Sequence, residues 1–385
     1  MGVYKPIEYG LGMTRRFIIL FTLFGTFFLN DAFGSAPVVA GEWKQALEQR
    51  SWSFPCDHGA HPDYRTEWWY FTGNLMNNKK GRYGYQLTFF RQGIRKEVKK
   101  AHNTWDITDV YFAHLAISDI GNKKFRYAER ISRTGPDLAG AKTGSMDVWC
   151  LDWFARMKKG EIAISARQGG MALDLRLVPQ KPLVLHGKEG LSRKGMLPGQ
   201  ASYYYSFTDL QTKGALKTPD AGTAFDVNGR SWFDQEFGSN QLSAEQTGWD
   251  WFSVHLSDGR DLMLYFLRRK DGTLEKASSG TLAEKNGRAR HLTLADIDLE
   301  VFGRWTSPAS KGRYPNRWAL KVPSAAIDLR FATVIDDQEL KTAGSTGIVY
   351  YEGAIGGSGT SSGKSVTCEG YAEMTGYTGA IGGVF

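Results

Sequence analysis

At 385 residues, 42% of them apolar and 23% charged, the chain has room for about two domains. Its formal net charge of +8 falls only to about +7 without residues 1–40, and the excess is dispersed among acidic residues, which argues against a nucleic-acid partner. Three cysteines, Cys56, Cys150 and Cys368, allow at most one disulfide and have no metal-binding spacing, so they are expected as buried thiols or as one bridge with a thiol left over.

In chain order, Arg15 and Arg16 precede a mostly apolar run at 17–29 and then small residues up to Ala40. That is the order of a secretory signal, and the run is short for a membrane span of about 20 residues. Export to the periplasm or beyond is the expectation, with cleavage after Ala40 or Ala36; a retained anchor is the alternative. Residues 41–50 read as a short helix. Period-two alternation then dominates, as in VYFAHLAIS at 110–118 and EIAISA at 161–166. The basic run RQGIRKEVKK at 91–100 reads as a solvated turn. Asn-Gly or Asp-Gly pairs at 228–229, 258–259, 271–272 and 286–287 are turn signals. GAIGGSGTSSGK at 353–364 reads as a long flexible loop without a phosphate-binding pattern. With no long amphipathic helix after residue 50, the predicted class is all-β. A sheet of this length must roll up or pack to hide its edges, which gives two antiparallel barrels or curved sandwiches at 52–242 and 245–385.

The two units are copies. EWWYFTGNLMNNKKGRYGYQLTFFR at 67–91 returns, four residues shorter, as WDWFSVHLSDGRDLMLYFLR at 249–268, with Trp68 on Trp249, Phe71 on Phe252 and Arg91 on Arg268. MALDLRL at 171–177 matches AAIDLRF at 325–331, and YYYS at 203–206 matches VYYE at 349–352. VNGRSWFDQEF at 227–237 pairs least well with TCEGYAEMTGY at 367–377. Four matches in one order imply a duplicated unit.

DHGAHPDYRTEWWYFTGNL, ALDLRLVPQKPLVLHGKEG, SYYYSFTDL, GRSWFDQEF and the closing GYAEMTGY together resemble the AttH-like secreted proteins grouped with the carotenoid 1,2-hydratases, over nearly all of the chain after residue 40. The resemblance implies tandem lipocalin-like barrels, a cavity for apolar isoprenoid-like molecules and, in some relatives, acid chemistry on carbon–carbon double bonds. The hydratase branch's polar residues fall on Gln235, Phe237, Tyr265 and Leu267, of which only the tyrosine is kept.

Strand alternation puts Phe233, Gln235 and Phe237 on one face and Trp232, Asp234 and Glu236 on the other. If the first set lines the pocket, it is apolar and has no acid there; in the opposite register Asp234 and Glu236 are paired inward carboxylates able to donate a proton. The candidate catalytic residues are therefore Asp234, Glu236 and Tyr265. The candidate ligand-binding residues are Trp69, Tyr205, Trp232, Gln235, Phe237, Asp250 and Trp251.

Asp57, His58, His61, Asp63 and Glu67 offer metal ligands, but Pro62 prevents a helix from aligning the histidines, so hydrogen-bonded packing is the reading and no metal or cofactor is expected. His114 and His255 read as structural histidines. The tryptophans at 68, 69, 249 and 251 read first as core plugs. No G-x-S-x-G elbow supports a serine hydrolase. The leading function is an exported module that binds an apolar small molecule or lipid within the barrels or at their junction. The second is an acid-initiated hydratase or cyclase of isoprenoids, and the third is an accessory of a membrane export machine or surface.

Overall fold

A computed structural model describes residues 42–96, 107–240 and 242–381. The signal segment at 1–40 and residues 97–100 of the basic run lie outside the described residues; the run does not begin as a solvated turn, since Arg91 is buried in strand Arg82–Gly93 and pairs with Asp109 at 2.8 Å. No helix among the described residues is long and apolar enough to cross a membrane.

The described strands form two antiparallel sheets of 13 and 10 strands. The first runs in the order Lys124–Arg133, Asp109–Asp119, Arg82–Gly93, Thr66–Asn77, Phe225–Asn240, Ala201–Lys217, Met171–Pro179, Glu161–Gln168, Trp153–Lys158, Asp147–Cys150, Ala139–Ala141. A bridge between Thr134 and Ala139 joins its ends, so the sheet curls nearly shut. The second runs Ala289–Thr293, Ser279–Ala283, Asp261–Arg269, Gln246–Leu256, Lys364–Met374, Val349–Ser361, Ile327–Thr333, Arg313–Val322, Asp298–Thr306. These are tandem lipocalin-like barrels.

Alternation sets which face turns inward. In Met171–Pro179, Met171, Leu173, Leu175 and Leu177 are buried while Asp174 and Arg176 are exposed. Each buried leucine contributes about 1.5–3 kcal/mol, so a one-residue slip would forfeit several at once. Thr66–Asn77 and Gln246–Leu256 are instead buried on both faces over most of their length, because each has its own barrel on one side and the other barrel beyond.

The barrel interiors are packed with side chains. Trp69, Phe71, Leu87, Phe89, Trp153, Leu175 and Phe233 belong to the core of the first, and Phe252, Leu264, Trp318, Leu329 and Phe331 to that of the second. A third cluster with Tyr70, Tyr204, Trp232, Trp251, Met263 and Tyr371 joins the halves. The expected hollow therefore sits at the junction of the barrels.

The duplication is visible strand by strand, with one correction of register. Tyr70 pairs with Asp234 in the first sheet, and its counterpart Trp251 pairs with Glu373 in the second. Asp234 thus corresponds to Glu373, one residue away from the match read in the sequence.

Four local expectations change. Residues 42–50 form no helix; Ala46 packs instead with Tyr203 and Phe237. Asn228 and Gly229 lie inside Phe225–Asn240, where a Cβ on Gly229 would sit 2.0 Å from the Asn74 carbonyl oxygen. That glycine serves close strand approach and makes no turn. Residues 353–364 are mostly strand, since Cβ atoms on Gly357 and Gly359 would fall within 2.1 and 2.0 Å of the Arg330 and Asp328 carbonyl oxygens. Cys56 is exposed, while Cys150 and Cys368 are buried free thiols.

Candidate functional site

A cavity of about 100 Å³ lies between the barrels, and its walls come in matched pairs. Trp68 and Trp249, Tyr70 and Trp251, Phe90 and Leu267, Tyr204 and Tyr350, and Asp234 and Glu373 occupy equivalent positions in the two copies, and all ten line it. The Tyr70 and Trp251 rings meet at 5.2 Å. Equivalent residues touching one another mark an approximate two-fold relation, as in a symmetric dimer interface. Lys194, Glu236 and Tyr265, with His114, Leu242, Thr346 and Ile348, complete the lining without matched partners.

The first wall holds Asp234 by three donors. Tyr204 Oη donates to Oδ2 at 2.7 Å, Trp232 Nε1 donates to Oδ1 at 2.6 Å, and Ser206 Oγ donates to Oδ1. Burial nevertheless outweighs these bonds and pushes the carboxyl up to about 7. On the opposite wall burial pushes Glu373 up to about 8; a hydrogen bond from Trp249 opposes this, and the charges of Asp234 and Glu236 add to it. Behind it Glu352 is raised well above the usual carboxyl range by burial and by Glu373, and accepts from Tyr70 Oη at 2.8 Å. Near neutral pH these are carboxyl groups able to hold protons.

Glu236 is engaged differently. It accepts from Ser202 and pairs with Lys194 Nζ at 2.8 Å. That ammonium sits 4.2 Å from the centre of the Tyr265 ring and 5.1 Å from that of Tyr204. Burial pulls the Lys194 pKa down, but Glu236 and Tyr265 more than offset this and leave it raised. Tyr265 Oη donates to the Arg193 carbonyl at 2.9 Å, and the same residue borders an open cleft of about 950 Å³ on its far side. His114 bonds Tyr350 Oη at 2.7 Å and Ser345 Oγ at 2.8 Å, and burial pulls it down to about 3, so its ring is neutral.

A family model for AttH-like proteins matches residues 45–377. The chain belongs to the AttH-like family. It is 33% identical to a protein of Nitrosomonas europaea assigned as an AttH, over 87% of this chain and 99% of that one, with a TM-score of 0.77. Kievitone hydratase from Nectria haematococca superposes with a TM-score of 0.65 over 86% of this chain and 97% of its own, at 15% identity, a likeness of fold. No curated protein matches the sequence.

In this AttH-like chain Asp234, Glu236, Tyr265 and Trp251 meet at the cavity, and Trp232 stands behind Asp234 as a donor. Trp69, Tyr205, Gln235 and Phe237 do not reach it. They turn to the other side of their strands, where Gln235 donates to Gly59 O at 2.8 Å and Glu67 at 2.9 Å and accepts from Tyr205 at 2.6 Å. Phe237 stacks on His61 with ring centres 3.6 Å apart. The positions carried over from the hydratase pattern thus split: Tyr265 and Leu267 line the cavity, while Gln235 and Phe237 face away. Asp250 is held outside it by Arg268 and by Tyr377 at 3.0 Å.

His61 bridges Glu67 at 2.7 Å and Asp57 at 3.2 Å, His58 bonds Tyr205 at 2.7 Å, and Asp63 pairs with Lys44. Among the described residues no group of three or more His, Cys, Asp and Glu side chains is disposed to hold a metal. His255 bonds Asp261 at 3.0 Å. Sequence reasoning missed Glu373 and Lys194. Correct register of the fourth repeat would have found Glu373; nothing in RKGMLPG marks Lys194.

Proposed function

We propose that the junction cavity receives the apolar, unsaturated end of a small molecule and adds water across its double bond. The single observation behind this is a pair of carboxyl groups, Asp234 and Glu373, whose burial keeps them titrating near neutral pH on equivalent walls of a tryptophan-lined cavity. A general acid or base works best when its pKa lies near the working pH. Glu373, the higher of the two and held by fewer donors, gives its proton to one alkene carbon. The cation left on the other carbon is stabilised by the faces of Trp68, Trp249 and Trp251, about 0.5–2 kcal/mol each. Water bonds to that carbon, and its surplus proton goes to Asp234. A proton from solvent then reloads Glu373 and Asp234 releases its own to solvent, so one water is consumed per turnover.

Size limits the substrate. A cavity of about 100 Å³ is smaller than the roughly 150 Å³ apolar cavity that holds benzene, so only one end of a long molecule fits. The Lys194 ammonium, paired with Glu236, already sits over the Tyr265 ring at 4.2 Å and leaves the tryptophan faces for a developing cation. The hydratase named among the structures of this fold supports the reaction class.

The test is incubation with prenyl alcohols that end in a dimethylallyl group, in water labelled with heavy oxygen, followed by mass spectrometry. Incorporation of one labelled water is expected, and Asp234→Asn or Glu373→Gln should slow it by about 10²–10⁴-fold. Uptake without incorporation, unchanged when both carboxyls are replaced, would make the protein a carrier of apolar molecules and remove the hydratase reading.

A further inference from the structure

Asp234 is joined to a buried histidine that the chemistry above does not use. Its partner Ser206 contacts His186 Nε2 at 2.5 Å, and His186 Nδ1 contacts Thr281 Oγ1, in the second barrel, at 2.9 Å. Ser206, His186 and Thr281 are each at most 3% exposed. Thr281 stands directly opposite His291 on the neighbouring strand, and His291 is exposed on the wall of the open cleft. The chain of hydrogen bonds leads from the cavity wall through the seam between the barrels to Thr281, one strand away from the cleft that His291 borders.

The donors fix its direction. With Asp234 ionised, the Ser206 hydroxyl points at Oδ1. Its contact with His186 must then use a proton on Nε2, which leaves Nδ1 to accept from Thr281. With Asp234 protonated toward Ser206, every hydrogen bond reverses and Nδ1 becomes the donor. Each member can thus give one proton and take one, and the two states differ only in the polarity of the chain.

We propose that Ser206, His186 and Thr281 form a proton relay that exchanges the Asp234 proton with solvent on the cleft side of the molecule. In the unloading direction the Asp234 proton passes to Ser206 Oγ as the Ser206 proton passes to His186 Nε2. The Nδ1 proton moves to Thr281 Oγ1, and the Thr281 proton leaves to water. One proton enters the relay from Asp234 and one leaves it to water, so Ser206, His186 and Thr281 stay neutral while Asp234 is left as the carboxylate. Burial, and then Lys194 and His291, hold His186 well below its ordinary value, which suits a ring that passes protons while remaining neutral. The relay belongs to the first copy alone, since Glu352 stands where the second copy would need Ser206.

This inference rests on Asp234 being a working acid or base, and its test needs no substrate. Infrared spectra of the full chain at about pH 6, just below the Asp234 value, contain a protonated-carboxyl band that Asp234→Asn identifies by difference. Its shift after rapid dilution into D2O reports how fast that proton exchanges. His186→Gln keeps hydrogen-bonding capacity but cannot pass a proton, and Ser206→Ala breaks the first link while leaving Tyr204 and Trp232 on the carboxyl. Exchange should be at least about tenfold slower in both variants, with free imidazole partly restoring it in the histidine variant. Wild-type exchange in either folded variant overturns the relay; should His186→Gln not fold, Ser206→Ala decides alone. Slowed exchange in a protein that hydrates nothing would keep the relay and sink only the proposed reaction.

Discussion

Asp234 illustrates how burial and hydrogen bonding compete over one side chain. Three donors favour its charge, yet at 3% exposure the loss of solvent wins and the group reaches about 7 from an ordinary 3.8. A carboxyl raised on folding favours the folded state while both forms hold the proton. That advantage is lost as pH climbs from the unfolded value, near 4, through about 7, and is flat above. Asn at this position carries no such dependence. Between pH 4 and pH 8 the stability of Asp234→Asn relative to the wild type should therefore improve, by up to about 4 kcal/mol, in denaturant melts at each pH. A relative stability that does not move with pH would mean that Asp234 titrates normally.

Strands carry the next level, and here the sequence was legible to differing degrees. Met171–Pro179 could be read directly, because one of its faces meets water and its alternation is clean. Thr66–Asn77 and Gln246–Leu256 showed as a repeat but not by facing, since they are covered on both sides and both faces are apolar. The same ambiguity hid the register of Phe225–Asn240: Asp234 and Gln235 are both buried and polar, and only the neighbouring barrel decides which of them meets the cavity. Glycine misled where it serves packing. Gly84 is one such position at the seam, where an added Cβ would lie 2.9 Å from Tyr371 Oη and 3.0 Å from the Ala354 Cβ. Gly84→Val should wedge the barrels apart, costing about 1–3 kcal/mol and shifting tryptophan fluorescence to the red as the cavity admits water. A melting temperature and spectrum equal to the wild type would show that the seam yields freely.

For the whole molecule, the cavity exists only while both halves are docked. Asn74 Nδ2 donates to the Gly370 carbonyl at 3.1 Å, Trp251 Nε1 to Tyr204 at 3.0 Å, and Met263, Tyr265 and Tyr371 are buried against the first barrel's side of the junction. Residues 246–381 expressed alone would expose those three apolar side chains. They should self-associate in size-exclusion chromatography, whereas the full chain should unfold in one transition by near- and far-ultraviolet dichroism. Two separated transitions would mean that each barrel is stable without the other. The matched walls carry a consequence for selectivity. A receptacle with true rotational symmetry treats both orientations of an incoming guest alike, and would hand back mixed regioisomers. Here duplication has freed the halves to drift: the ammonium of Lys194 and the carboxylate of Glu236 come from the first half and have no counterpart in the second, so the guest has a preferred way round and a single product should emerge.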